Sequence, residues 1–200
     1  MTDVTVDVNL LRSEIEKTYS EVSTEPAKDF IFRTGRGWAE ELGYPQPELS
    51  RVPEATVESF AGVANPHALG RIEEGATVVD LGCGAGTDLL IAAQMVGPSG
   101  KVIGVDMTAS MLARARASAA EMGLTNVELH EGLIESLPVP DGSVDVVISN
   151  GVIDLVPDKD AVFDEIDRVL RPGGRLQIAD VVIHTEVSED ARDRIDLWTG

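Results

Sequence analysis

Cysteine is almost missing from this chain. Of 200 residues only Cys83 is one, so neither an intramolecular disulfide nor a cysteine-based metal site can form. That usage suits a reducing cytoplasm. Basic residues are also scarce. Lys and Arg total 16 against 35 Asp and Glu, a formal charge of −19. Such a surface repels phosphate backbones, so nucleic acid is not expected as substrate or partner. The acid excess keeps an acidic chain soluble, and no acidic block is long enough to read as a tail. No apolar run approaches the length of a membrane span, so no membrane partner is expected. The first residues, Met1 to Asp7, carry neither a basic region nor an apolar core and do not read as a signal peptide.

What is present is organised around Val78-Val79-Asp80-Leu81-Gly82-Cys83-Gly84-Ala85-Gly86-Thr87-Asp88. The first four residues read as the end of a buried strand. Gly82, Gly84 and Gly86 follow at alternate positions, and a helix is expected from Asp88 onward. Such a turn brings bare backbone and free helix N–H groups to a ligand. The spacing is G-x-G-x-G, not the G-x-G-x-x-G of dinucleotide sites, which disfavours a nicotinamide oxidoreductase. Lys101 to Asp106 reads as the next strand, ending in an acid suited to a ribose diol. The bland alternative is an ordinary strand–turn–helix unit capped by Asp106.

Along the rest of the chain, Val8, Leu11, Ile15, Tyr19 and Val22 recur at helical spacing and predict an amphipathic helix over 8–22. Residues 23–53 read as irregular, with Thr34-Gly35-Arg36-Gly37 as either a loop over the ligand or a plain surface connection. Asn65-Pro66 signals a turn or helix start. His67 after it reads as a surface or capping residue sooner than a catalyst. Thr108 is a candidate N-cap for a helix ending at Gly123. Val127–Leu129, Val144–Asn150 and Leu176–Ile183 read as strands, Asp158–Leu170 as a helix stopped by Arg171-Pro172-Gly173-Gly174-Arg175, and Ser188 opens a last helix. The alternation predicts an α/β, doubly wound, mostly parallel sheet. Residues 1–53 would be a helix and irregular cap, and 54–200 the main domain. Ligands in such sheets lie at the carboxyl ends of the strands. Asp80 to Gly86, Asp106, Gly132–Glu135 and Ser149-Asn150 all fall there.

Residues 54–185 resemble class I S-adenosylmethionine-dependent methyltransferases. Besides the glycine turn and Asp106, the resemblance is carried by Leu137-Pro138-Val139-Pro140-Asp141-Gly142-Ser143-Val144-Asp145 and Leu170-Arg171-Pro172-Gly173-Gly174-Arg175. Gly62-Val63-Ala64-Asn65-Pro66, Gly104-Val105-Asp106-Met107-Thr108 and Ser149-Asn150-Gly151-Val152-Ile153-Asp154-Leu155 are similar to arsenite methyltransferases within that class. The resemblance implies S-adenosylmethionine as cofactor and a small-molecule acceptor. Asp106 would hold the ribose. Backbone at Gly82, Gly84 and Gly86 would approach the amino-acid moiety and ribose, with Asp80 and Cys83 also in the cofactor site. Met107 and Ile134 would sandwich adenine, Glu135 would lie near its amine, and Asn150 would face the methyl or the amino group. Where the family often has an acid after the glycine, this chain has Leu133. The arsenite enzymes typically place cysteines at the positions of Val63 and Gly151. Lacking them, the chain reads as a methyltransferase for some small acceptor, or as a non-catalytic or shortened cofactor-binding module. No catalytic base is assigned; Asp154 and His67 are candidates. The class usually ends in an antiparallel strand pair, which this sequence is expected to lack.

Overall fold

A computed structural model describes residues 7–182 and 184, apart from Ala27. Its centre is a five-stranded sheet: β1 (Thr77–Leu81), β2 (Lys101–Asp106), β3 (Val127–Glu131), β4 (Val144–Asn150) and β5 (Leu170–Ala179). The order is β3-β2-β1-β4-β5, and every described pairing is parallel. The order reverses between β1 and β4, so a crevice opens at the carboxyl ends of those two strands.

Both faces of the sheet are covered, which is why the inner strands β1, β2 and β4 are largely apolar and buried rather than alternating. Val79, Leu81, Ile103, Val105 and Val147 pack with Val162, Ile166 and Val169 of α7 (Lys159–Val169). On the other face Val78, Val102, Val146 and Ile148 meet Leu89, Ala92, Ala93 and Val96 of α5 (Thr87–Val96), and Leu112 of α6 (Ala109–Glu121). Ile148 is fully buried.

The amphipathic N-terminal segment forms α1 (Val8–Thr24), capped by Asp7, whose side chain accepts from the amides of Asn9 and Leu10. Its apolar stripe does not join the main core. Leu11 and Ile15 pack on Leu155, and Val22 packs on Ala85 and Met111, so the helix lies across the carboxyl end of the sheet.

Several boundaries differ from expectation. Residues 23–53 are not wholly irregular: α2 (Arg36–Glu41) and α3 (Gln46–Leu49) form there. Ala39, Tyr44, Leu49 and Val52 bury themselves against Leu90 and Ile91 of α5, a tertiary gain that outweighs the glycines and prolines. A further short helix, α4 (Glu54–Val57), and a 3-10 turn at Pro66–Leu69 follow. The helix after the glycines starts at Thr87, one residue before Asp88. β3 extends to Glu131, because its pairing with β2 continues to Asp106↔Glu131. β5 starts at Leu170, with the Arg171–Gly174 turn looped out between the pairings Val144↔Leu170 and Val146↔Arg175. The fifth strand ends at Ala179, short of the expected Ile183: residues 180–182 carry no strand, and the Asp180 side chain accepts the Ile153 N–H instead. The helix expected from Ser188 lies outside the described residues. No helix among the described residues is long and apolar enough to cross a membrane.

Candidate functional site: a cleft at the carboxyl ends of the strands

The three glycines after β1 each adopt a backbone that other residues rarely take, with φ of 61°, 51° and 97° at Gly82, Gly84 and Gly86. Space demands glycine as well. A Cβ at Gly82 would come within 2.5 Å of Val152, and one at Gly86 within 3.1 Å of Ala115. At Gly84 a Cβ would meet nothing within 4 Å, so the middle of the turn faces open space.

Asp106 ties this turn to the next strand. Its Oδ2 accepts the Gly84 N–H at 2.8 Å and its Oδ1 accepts the Thr108 N–H at 2.8 Å. Thr108 is the N-cap of α6 by position, but its side chain makes no cap bond; Asp106 takes its amide instead. Each carboxylate oxygen keeps a lone pair for a ligand. Burial pushes the Asp106 carboxyl up, and the two N–H groups oppose that.

A cleft of about 1030 Å³, its open mouth included, begins at this turn. Asp80, Gly82, Cys83, Gly84, Gly86, Asp106, Met107, Ile134, Glu135 and Asn150 all line it. The structure therefore brings all ten residues expected at the cofactor site to one cleft, whereas the catalytic candidates His67 and Asp154 do not line it. Thr34-Gly35-Arg36-Gly37 is not part of that lining; Arg36 opens α2 and pairs with Glu54 at 2.6 Å.

The residues that α1 adds to the lining had no signal in the motifs. Arg12, Ile15 and Tyr19 come from α1 and roof the cleft. Arg12 Nη2 donates to Glu135 Oε1 at 2.8 Å, so the acid expected near adenine is held by a cation from the roof. Phe60, Gly62, Val152, Leu155 and Val156 complete an apolar wall. A helical stripe such as that of α1 says which face is buried, not against what.

The electrostatics favour a cationic guest. The Asp80 carboxyl is almost wholly buried and its Oδ2 has no hydrogen-bond partner. It is pushed well up by burial, then by the charges of Asp88 and Asp106. A ligand carrying positive charge beside these acids would relieve both penalties.

His67 is neither exposed nor in the cleft lining, contrary to the surface reading. Its side chain is 2 % exposed and its Nε2 sits 3.0 Å from Asp88 Oδ1. The signal that placed it, Asn65-Pro66, holds: the Asn65 side chain accepts the His67 N–H at the start of the 3-10 turn.

Cys83 is buried, and burial first, then Asp106 and Asp80, push its thiol well up. We expect a disulfide reagent to label it on the order of 100-fold faster in the unfolded chain than in the native one, since the thiolate is the reactive form. Equal rates in stopped-flow labelling would contradict the buried placement.

A family model for a methyltransferase domain matches residues 72–199. The chain belongs to the methyltransferase-domain family. The cofactor of this family is S-adenosylmethionine, and the cleft fits it: an unpartnered buried acid, an acid at the end of β2, and Met107 and Ile134 as apolar faces. Among relatives, the arsenite methyltransferase of Halobacterium salinarum is 47% identical over 162 residues, covering 81% of this chain and 41% of that protein. That of Aquipseudomonas alcaligenes is 44% identical over 156 residues, covering 74% and 44%. The crystal structure of CrArsM, an arsenic(III) S-adenosylmethionine methyltransferase from Chlamydomonas reinhardtii, superposes with a TM-score of 0.67 at 39% identity, over 72% of this chain and 51% of that one. The methyltransferase domain described here thus spans less than half the length of the two curated relatives.

Proposed function

We propose that this domain transfers a methyl group from S-adenosylmethionine to a small-molecule acceptor. The observation that carries the reading is the placement of the Gly82–Gly86 turn and Asp106 on one cleft, joined by the Gly84–Asp106 hydrogen bond. Bound cofactor supplies an already activated methyl on a sulfonium. The chain's contribution is to hold the partners in line and exclude water. Asp106 receives the ribose hydroxyls with the lone pairs its amide bonds leave free. Met107 and Ile134 face adenine, and the Arg12–Glu135 pair closes that end. Asp80 neutralises positive charge at the amino-acid end. The segment 1–53 acts as a cap, with α1 as the roof. Calorimetric titration with S-adenosylmethionine, S-adenosylhomocysteine and NAD tests this: uptake of the first two alone supports the reading, and uptake of NAD alone refutes it.

The acceptor is the finer question. Relatives are named arsenite methyltransferases, and trivalent arsenic is soft and thiophilic. The two positions where the resemblance implies thiolates hold Val63 and Gly151. They are neighbours: a Cβ at Gly151 would lie 3.2 Å from Val63 Cγ1. The place for a pair of soft ligands is therefore filled by a methyl group and a bare backbone, neither of which binds arsenic. With radiolabelled cofactor, arsenite and excess thiol, we expect cofactor binding and little or no methylated arsenic. Product over many turnovers would restore arsenite as the acceptor, delivered by the free thiol. A cofactor-binding module without transferase activity is favoured over the enzyme only if no acceptor yields product.

A further inference from the structure

A polar cluster runs through one wall of the cleft: its Asp88 and Asn150 line the cleft, while Tyr44 and His67 lie behind it. Asp88, the second residue of α5, is its centre. Tyr44 Oη donates to Asp88 Oδ1 at 2.7 Å, and His67 Nε2 lies 3.0 Å from the same oxygen. Asp88 Oδ2 is reached by Asn150 Nδ2 at 3.0 Å. Tyr44 and Asp88 are themselves buried. A carboxylate only accepts, so these three side chains have to bring donors to it.

The cluster ends on the wall of the cleft. Asn150 Oδ1 accepts the Val63 N–H at 2.8 Å and the Ala64 N–H at 3.3 Å. Asn150 Nδ2 lies 2.9 Å from Ala64 O and 2.9 Å from Tyr44 Oη. The amide is thus fully engaged by protein, and it reaches the site through the backbone it grips. Trp38 Nε1 adds a bond to Gly62 O at 2.8 Å. Gly62 itself permits the arrangement, since a Cβ there would fall on the Asn150 amide and 2.7 Å from the Phe60 ring. Segment 62–64 is a loop with no sheet partner. Without these side chains its amides would have no fixed place.

We propose that Asp88 is the positioning residue of the acceptor wall: its carboxylate gathers Tyr44, His67 and Asn150 and so fixes Gly62–Ala64 against the turn after β4. The inference rests on the methyl-transfer reading. Gly62 lines the cleft beside Val152, and Val152 meets Gly82 at the end where the methyl would lie. A wall that drifts by about an ångström there misaligns an in-line transfer without touching the cofactor's ribose or adenine contacts.

The test reads the wall and the cofactor separately. In Asp88→Asn, hydrogen exchange at the Val63 and Ala64 amides should speed up at least about tenfold, as a local opening. Amides of Val79 and Val147 should stay as slow as in the wild type. In Tyr44→Phe, which keeps every acid of the cleft, affinity for S-adenosylhomocysteine should change by less than about threefold, because the lost contact lies outside the cleft lining. The exchange Asp88→Asn with Asn150→Asp swaps donor and acceptor and should restore protection in part. Tyr44→Phe, a milder change, should show the same local pattern if Asp88→Asn folds poorly. Unchanged exchange at Val63 and Ala64 overturns the proposal. Cofactor affinity falling in step with the exchange also overturns it, since the cluster would then serve the cofactor. A wild type that takes up no S-adenosylhomocysteine refutes the methyl-transfer reading instead, and the exchange data separate the two failures.

Discussion

Replacing Asp106 with alanine is expected to weaken S-adenosylmethionine binding by about 2–4 kcal/mol, the range for losing charge-assisted bonds to two hydroxyls. In affinity that is roughly 30- to 1,000-fold. The structure gives the loss a second source. Asp106 also holds the Gly84 and Thr108 amides, so its removal frees the glycine turn and the start of α6 together. Asp106→Asn separates the two sources. Its single carbonyl oxygen still accepts one amide, while the charge facing the ribose is gone. We expect the asparagine variant to lie between the wild type and alanine in calorimetric titration, with a far-ultraviolet spectrum like the wild type's. Wild-type affinity in the alanine variant would remove Asp106 from the site.

The second large effect concerns pH. Asp154, in the turn after β4, is pushed up to about 7 by burial first, then by its hydrogen bond with Asp180 and that residue's charge. Lys159 pulls in the opposite direction. Asp180 also accepts the Ile153 N–H at 3.0 Å, so the pair joins the turns that follow β4 and β5. The folded chain then binds a proton more tightly at Asp154 than the unfolded chain, where an aspartate titrates near 4. Stability from this proton is fully present below about pH 4 and is lost as pH rises through about 7. Asp154→Asn keeps the shape and the hydrogen bond without the titration. In urea unfolding the variant should be more stable than the wild type at pH 8, by about 2–4 kcal/mol at 1.4 kcal/mol per pH unit. At pH 4 the two should agree closely. Parallel stability curves across that range would show that the carboxyl pair does not hold a proton.

Both predictions concern groups at strand ends, and strand ends were the legible part of the sequence. β1, β2 and β4 are apolar runs bounded by glycine or polar residues, and their ends fall where expected. The ten residues expected at the cofactor site are local in the same sense. Each sits within a few positions of a strand's end, and a parallel sheet carries all such ends to one edge. Fold class and cleft therefore follow from pattern and spacing, which are properties of neighbouring residues, and the cofactor follows from the family that those motifs resemble.

Tertiary structure alone decided the rest. α1 was visible as an amphipathic helix, yet its stripe could not announce that Ile15 and Tyr19 roof the cleft. Nor could the charges of Arg12 and Glu135 show that they meet across 123 positions. The helices in residues 23–53 exist because α5 offers Leu90 and Ile91 as a surface to pack on, against the local glycine and proline preference. Tyr44, His67, Asp88 and Asn150 form one cluster from four distant segments, and no short window of sequence contains two of them. Sequence spacing fixes what lies along a strand or a helix. Which buried polar groups answer one another is set by the packing of those elements, because a desolvated donor or acceptor must find its partner in space rather than along the chain.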